Sequence, residues 1–289
     1  LTALRGYTTG SPELIEIAVL SVVMAAGFNI MLLGGVVVLS SRKTGYIDVP
    51  EEVVEDDADL IRWTIVAMAI LFTFGILQYI RAIETSTPTN LIILPPLAGL
   101  MMVLSYVLYA IYAFKKKPKR PRPKIEPHHT RRASAILTVL GFAGIFIAGH
   151  ILTGTIELTF EYVPWVSFGI EPFQQIVIIA MIVGATGAIP EHSIALLAAA
   201  KEKAGIAIGN TLGGTTQVLL LIIGGVSLFL PLPLDARVLI QLATAAGSLW
   251  FLIRAMTDDR RIDIYEGTMI LLLQAFVFII ILTPLVGAS

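Results

Sequence analysis

Charged residues fall in clusters along this chain, and long apolar runs fill the stretches between them. The runs are Leu14–Ser40, Ile61–Ala82, Leu91–Phe114, Ala133–Gly154, Pro172–Ala200, Ile206–Leu230, Ala236–Ala255 and Ile264–Thr283. A helix that crosses a bilayer needs about 20 mostly apolar residues, and each run reaches that length. Barrel strands would alternate apolar and polar positions over about 10 residues; these runs do not. Backbone groups inside lipid must be bonded within their own segment, so the pattern predicts an all-α polytopic membrane protein. Composition agrees: 56% of the 289 residues are hydrophobic, 14% are charged and the mean hydropathy is +0.85. A soluble domain carries about 25% charged residues.

Loop charge sets the orientation. Lys115–Arg132 holds nine basic residues and one acid, Glu126, together with Pro118, Pro121, Pro123 and Pro127. By the positive-inside rule this segment is cytoplasmic, and its prolines make it an extended connector that also touches anionic lipid. The remaining loops follow. Thr155–Glu171 lies outside and has no Lys or Arg; Lys201–Lys203 lies inside and is basic. The turn at Pro231–Leu234 lies outside, with Arg237 at its edge, and Arg254–Arg261 lies inside with three Arg. Ser41–Leu60 falls inside with Arg42 and Lys43, although acids dominate it. A net charge of −1 speaks against a nucleic-acid partner. The absence of cysteine removes disulfides and thiolate metal sites. No cleavable signal peptide is visible, and the first residue is Leu1 rather than Met.

The chain divides into a first transmembrane half, 1–114, the linker 115–132 and a second half, 133–289. Each half carries a related motif, at 8–35 and 184–225. Both read Thr-Gly, then Pro-Glu, a small-residue apolar stretch, an amide and Gly-Gly. In this reading Pro12-Glu13 corresponds to Pro190-Glu191, Asn29 falls near Gln217, and Gly34-Gly35 corresponds to Gly224-Gly225. With the linker inside, the two motifs enter the membrane with opposite polarity, as in inverted-repeat transporters. Pro190 to Gly224 spans 34 positions and Pro12 to Gly34 only 22. The expectation is two inverted repeats of about five helices each, the first abbreviated or preceded by a helix ahead of Leu1.

Charge inside a membrane is costly, so an embedded acid usually faces a cavity and binds something. Glu191 follows Gly184, Gly187 and Pro190 in an apolar run. Pro190 lacks a backbone donor and frees a carbonyl one turn earlier. That carbonyl, the Glu191 carboxylate and the Thr186 hydroxyl are oxygen donors of the kind hard cations take. Glu13, with Thr9 and Gly10, supplies a similar set from the other half. Two opposed carboxylates would neutralise one divalent ion, and when empty they would raise at least one pKa. Protons and cation would then compete for one site. Asn29, Asn210, Gln217, Thr215 and Thr216 can add oxygens, or can serve as interhelical hydrogen-bond glue with Gly205, Gly209 and Gly213 allowing close approach. Glu16 stands one turn from Glu13, at the interface. His192 is a proton-handling candidate, although a lone histidine is more often a satisfied polar residue.

Pro190-Glu191-His192, Lys201–Lys203, Ala207-Ile208-Gly209-Asn210 and Gly213-Gly214-Thr215-Thr216-Gln217 together resemble the second α-repeat of the Ca²⁺/cation antiporter superfamily. The Glu-His pair and the Thr-Gln ending are most like its Ca²⁺/H⁺ exchanger branch. Thr9-Gly10-Ser11-Pro12-Glu13-Leu14 resembles the first α-repeat, in the Pro-Glu form found in Na⁺/Ca²⁺ exchangers. The resemblance implies an inverted-repeat fold of ten or eleven helices. It also implies Glu13 and Glu191 as central ligands, with nearby carbonyls and the Thr, Asn and Gln side chains around them, and sliding of the first helix of each half. The function implied is Ca²⁺ antiport against H⁺ or, as the runner-up, Na⁺, with no cofactor: Ca²⁺ is the cargo.

Two other classes stand further off. A channel would assemble identical pore helices about an axis rather than carry an inverted repeat in one chain. An intramembrane metalloenzyme using Glu191 and His192 would need further His or Asp ligands at membrane depth, so the chain is expected not to be an enzyme.

Overall fold

The computed structural model describes residues 1–49, 51–85, 92–115, 130–201 and 203–283, apart from the side chains of 52, 53, 55–57, 113, 114, 131, 166, 189–192 and 204. Most of the basic linker lies outside the described residues. The first half contains α1 (Thr2–Thr9), α2 (Pro12–Ser41), the short strand β1 (Tyr46–Asp48), α3 (Glu51–Glu84) and α4 (Pro96–Lys115). The second half contains α5 (Arg131–Tyr162), α6 (Pro172–Ala200), α7 (Ala204–Thr216), a π-helical turn (Gln217–Ile222), α8 (Ile223–Ser227), α9 (Ala236–Asp258), β2 (Arg261–Asp263) and α10 (Ile264–Leu282). Among the described residues, six helices are long and apolar enough to cross a membrane, or seven with α6 taken as one bent span; α4 is a shorter apolar helix. The protein is an integral, multi-pass membrane protein.

Local chemistry places the helix ends. Ser11 caps α2 by accepting from Leu14 N, and Pro12 fills the first turn, where its missing N–H costs nothing. Glu171 and Gln174 form a reciprocal cap on α6, as do Asp263 and Glu266 on α10. Helix α6 bends by 54° between Pro172–Ala188 and Ser193–Ala200, over the stretch that contains Pro190, a residue type without the N–H that a helix interior uses.

Helix α2 is apolar on every side and is buried at the centre, packed on α6, α7, α9 and α10. Helix α5 is the opposite case. Its most apolar stretch has no residue buried by the rest of the described chain. The hydroxyls of Thr138, Thr155 and Thr159 donate to carbonyls of their own helix, which satisfies them without water.

The inverted repeat is visible in backbone pairings and helix crossings. β1 pairs antiparallel with β2, Ile47 opposite Ile262, and so joins the segment after α2 to the one before α10. At the other end of the bundle Leu94 N donates to Leu232 O and Leu234 N to Ile92 O, at 2.9 and 2.8 Å. That ladder joins the segment after α8 to the one before α4. The crossings follow the same rule. A Cβ on Gly34 of α2 would stand 2.6 Å from Gly267 O of α10, and one on Gly224 of α8 would stand 2.9 Å from Gly99 O of α4. Three residues further on, Val37 covers Gly267 and Ser227 covers Gly99. Helix α2 therefore corresponds to α7–α8, α3 to α9 and α4 to α10.

This equivalence corrects one expectation. Gly34 and Gly224 do correspond, and Asn29 falls in the same stretch as Gln217. Pro12-Glu13 does not correspond to Pro190-Glu191, because Glu13 opens α2, the partner of α7, whereas residue 191 lies within α6. From Pro12 onward the short first motif lies on α2, one unbroken helix of 30 residues. Among the described residues of the first half no helix of α6's length precedes α2.

Candidate cation site

Helices α2 and α6 run side by side in the same direction, and small residues fix their register. A Cβ on Gly184 would lie 2.7 Å from Ser21 O and 3.0 Å from Ala25 N, so residue 184 is level with the stretch 21–25 of α2. Further along, Val36 joins Ala195, Ala198 and Ala199 of α6 and Ala207 of α7 in a small cluster separate from the main core. Interpolation puts residue 191 level with about residue 30 of α2. Asn29, 1% exposed, is therefore the buried polar side chain of α2 at the depth of Glu191.

The same register separates the two glutamates. Glu13 lies about 25 Å up the helix axis from the level of residue 191, at about 1.5 Å per residue. Its carboxylate is exposed and accepts from Ser11 Oγ at 2.8 Å. The structure does not bring Glu13 opposite Glu191, because the Pro-Glu of α2 caps a helix end and does not interrupt one. Thr9 goes with Glu13: it is exposed at the end of α1, its hydroxyl donating to Arg5 O at 2.8 Å.

The other expected residues lie on α6 itself, on α7 and at the π-turn that follows it. Helix α7 runs antiparallel to α2, and Ala207 in the alanine cluster sets its depth; the partly buried Asn210 follows about one turn above. Thr211, Thr215 and Thr216 are each 1% exposed. Thr215 donates to Thr211 O, and Thr64 of α3 donates to Thr216 Oγ1 at 3.2 Å in the interior. That geometry makes Thr216 a link between α3 and α7. Gln217 is exposed at the first residue of the π-turn, a type of irregularity frequent at functional sites. Thr186 is exposed on α6, its hydroxyl donating to Val183 O at 3.0 Å. The backbone of Glu191 and His192 is helical within α6; their side chains lie outside the described residues.

One ion pair in the bundle had only a faint sequence signal. Arg237 Nη1 donates to Glu16 Oε1 at 2.8 Å, joining α9 to α2. Arg237 reads in the sequence as the edge of a loop, and Glu16 as an interface residue one turn from Glu13. The signal was that Arg237 stands on the side where the positive-inside rule expects few cations.

Comparison with known proteins follows the same lines. Residues 133–283 match the family model described as sodium/calcium exchanger protein. No curated protein matches the sequence. Among solved structures, the crystal structure of the H⁺/Ca²⁺ exchanger CAX is similar at 17% identity over 94% of this chain and 70% of that one, with a TM-score of 0.69. Native YfkE is similar at 20% identity over 93% and 76%, with a TM-score of 0.66. The sodium-calcium exchanger NCX_Mj, soaked with Na⁺ and Sr²⁺, is similar at 17% identity over 96% and 80%, with a TM-score of 0.62. At these identities the likeness speaks for a shared fold.

Proposed function

The chain belongs to the sodium/calcium exchanger protein family, and on that premise we propose that it is a secondary active antiporter that moves Ca²⁺ across the membrane in exchange for H⁺. The observation that carries the reading is the register of α6 on α2. It sets Glu191, next to the bend of a proline-broken helix, at the depth of buried Asn29. A broken helix offers free carbonyl oxygens, the acid offers charge, and Asn29, Asn210, Thr186 and Gln217 offer neutral oxygens. This is the donor chemistry of a hard cation. Glu191 is the central ligand of this reading, in place of a Glu13–Glu191 pair.

Proton coupling needs no additional ligands. The carboxylate binds Ca²⁺ only when deprotonated and can return neutral once protonated, so the two cargoes exclude one another at one group. His192 is the candidate to hand protons to that group. The linker 115–132 lies on the cytoplasmic side in this reading. The Na⁺ alternative is kept because the matched family model is that of sodium/calcium exchangers. Radiolabelled Ca²⁺ uptake into proteoliposomes decides between them. Uptake driven by a pH step and not by a Na⁺ gradient is the expected result. Uptake driven by Na⁺ alone reverses the choice of counter-ion, and uptake with neither gradient overturns the antiporter reading.

A further inference from the structure

The cluster around Arg237 lies well away from the depth of Glu191, on the side opposite the basic linker. Arg237 is in the first turn of α9. Its Nη1 stands 2.8 Å from Glu16 Oε1 of α2 and 3.7 Å from Asp235 Oδ2, and its guanidinium lies 5.2 Å from the ring centroid of Phe173 at the start of α6. Next to Phe173, Gln174 Nε2 donates to Leu282 O at the end of α10, at 3.3 Å. One side chain therefore ties together the outer ends of α2, α6 and α9, and the following residue of α6 reaches the fourth helix. Arg237 is only 13% exposed in this arrangement.

Three features argue against plain structural glue. A cation in the first turn of a helix opposes the helix dipole, so α9 gains nothing from it. The buried Arg237 Nε–H has no hydrogen-bond acceptor among the described residues, and leaving a buried donor unmet is costly. The acids around it are in excess, with Glu13 exposed one turn above Glu16 and Asp235 beside it. Such a cluster holds the bundle in one arrangement while keeping partners ready for another.

We propose that Arg237 is a positioning residue that clasps the outer end of α6, the helix carrying Glu191, against α2 and α9, and so sets how readily the ion site opens to the outer side. The inference rests on the antiporter reading. At the inner end a different set of contacts joins the halves, Arg261 to Asp48 and Arg260 to Glu51. Loss of Arg237 thus acts on one face.

The test uses Arg237→Gln, Arg237→Lys, and the exchange Glu16→Arg with Arg237→Glu, each in sealed proteoliposomes of known orientation. Arg237→Gln is expected to change half-saturating Ca²⁺ at the outer face by about threefold or more, with the inner-face value within about twofold of the parent. The exchanged pair is expected to restore most of the change, and Arg237→Lys part of it, because a lysine keeps the charge but not the planar fork over Phe173. The chain has no cysteine, so Thr186→Cys in the same backgrounds reports access without transport. Its labelling by an impermeant maleimide from outside should be faster with Arg237→Gln. Equal effects on both faces, no rescue by the exchanged pair, or unchanged labelling overturns the clasp. If Arg237→Gln does not fold, Phe173→Leu removes only the ring contact and is judged by the same labelling. Failure of the parent protein to transport at all overturns the antiporter reading, while the labelling result still decides the clasp.

Discussion

Gly34 and Gly224 occupy equivalent places in the two halves, each closing a helix against a glycine of another, Gly267 for the first and Gly99 for the second. At both crossings a backbone carbonyl lies where a side chain would start. Lipid supplies no hydrophobic drive between helices, so this close backbone approach is what makes the crossing favourable. Gly34→Val and Gly224→Val should each destabilise the protein by about 1–3 kcal/mol, the range for overpacking a tight site. Thermal unfolding in one detergent would check this. A loss in one half and none in the other would show that the repeat is not mechanically symmetric.

The hydroxyl pair Thr64–Thr216 spans α3 and α7 in the interior. Interhelical hydrogen bonds in membrane proteins are worth about 0.6 kcal/mol on average and about 1.7 at most. Thr64→Val and Thr216→Val should each cost an amount in that range. The double variant should cost little more than either single one, because the partner is already gone. Additive losses would mean that the two threonines contribute separately.

Glu191 and Glu13 should respond very differently to the same change. Glu191→Gln removes the charge at the depth of Asn29 and should abolish Ca²⁺ exchange in folded protein. Glu13→Gln acts at an exposed helix start and should leave exchange within about twofold. Normalised uptake in matched proteoliposomes would show it. Full activity in Glu191→Gln would remove the proposed site, and complete loss in Glu13→Gln would restore Glu13 as a ligand.

Asp235 gives a pH dependence with a definite sign. Burial raises its pKa above the ordinary 3.8, opposed by the Val238 N–H that it caps and by Arg237. The folded state then holds this proton more tightly than the unfolded state does. The stability contributed by protonated Asp235 is present in acid and is lost as the pH rises through the range above 3.8. Asp235→Asn keeps an equally good cap and does not titrate. Its unfolding temperature relative to the parent should rise between about pH 4 and about pH 7. A falling difference would mean that attraction to Arg237 outweighs burial.

Much of the fold was legible because lipid enforces it. Helix α2 was anticipated as Leu14–Ser40 and runs from Pro12 to Ser41; α10 was anticipated as Ile264–Thr283 and ends at Leu282. The long apolar runs could be only helices. The sequence nominated Pro190-Glu191 and the Asn210–Gln217 stretch as the candidate site, since polar groups are rare and costly in an apolar run. Pro12-Glu13 has the same letters with a different meaning, a proline and an acid at a helix start. No single-sequence signal separates those two uses, because the difference lies in which helix stands beside which.

What the sequence determined alone is that the chain crosses a bilayer several times as apolar helices. That follows from a local property, hydrophobic length. Only the tertiary structure decided that α2 is the counterpart of α7–α8, that Asn29 rather than Glu13 shares the depth of Glu191, and that Arg237 joins Glu16 across 221 positions of chain. Register between packed helices is set by where glycines and alanines let backbones meet, and that is a property of pairs of segments, not of either one.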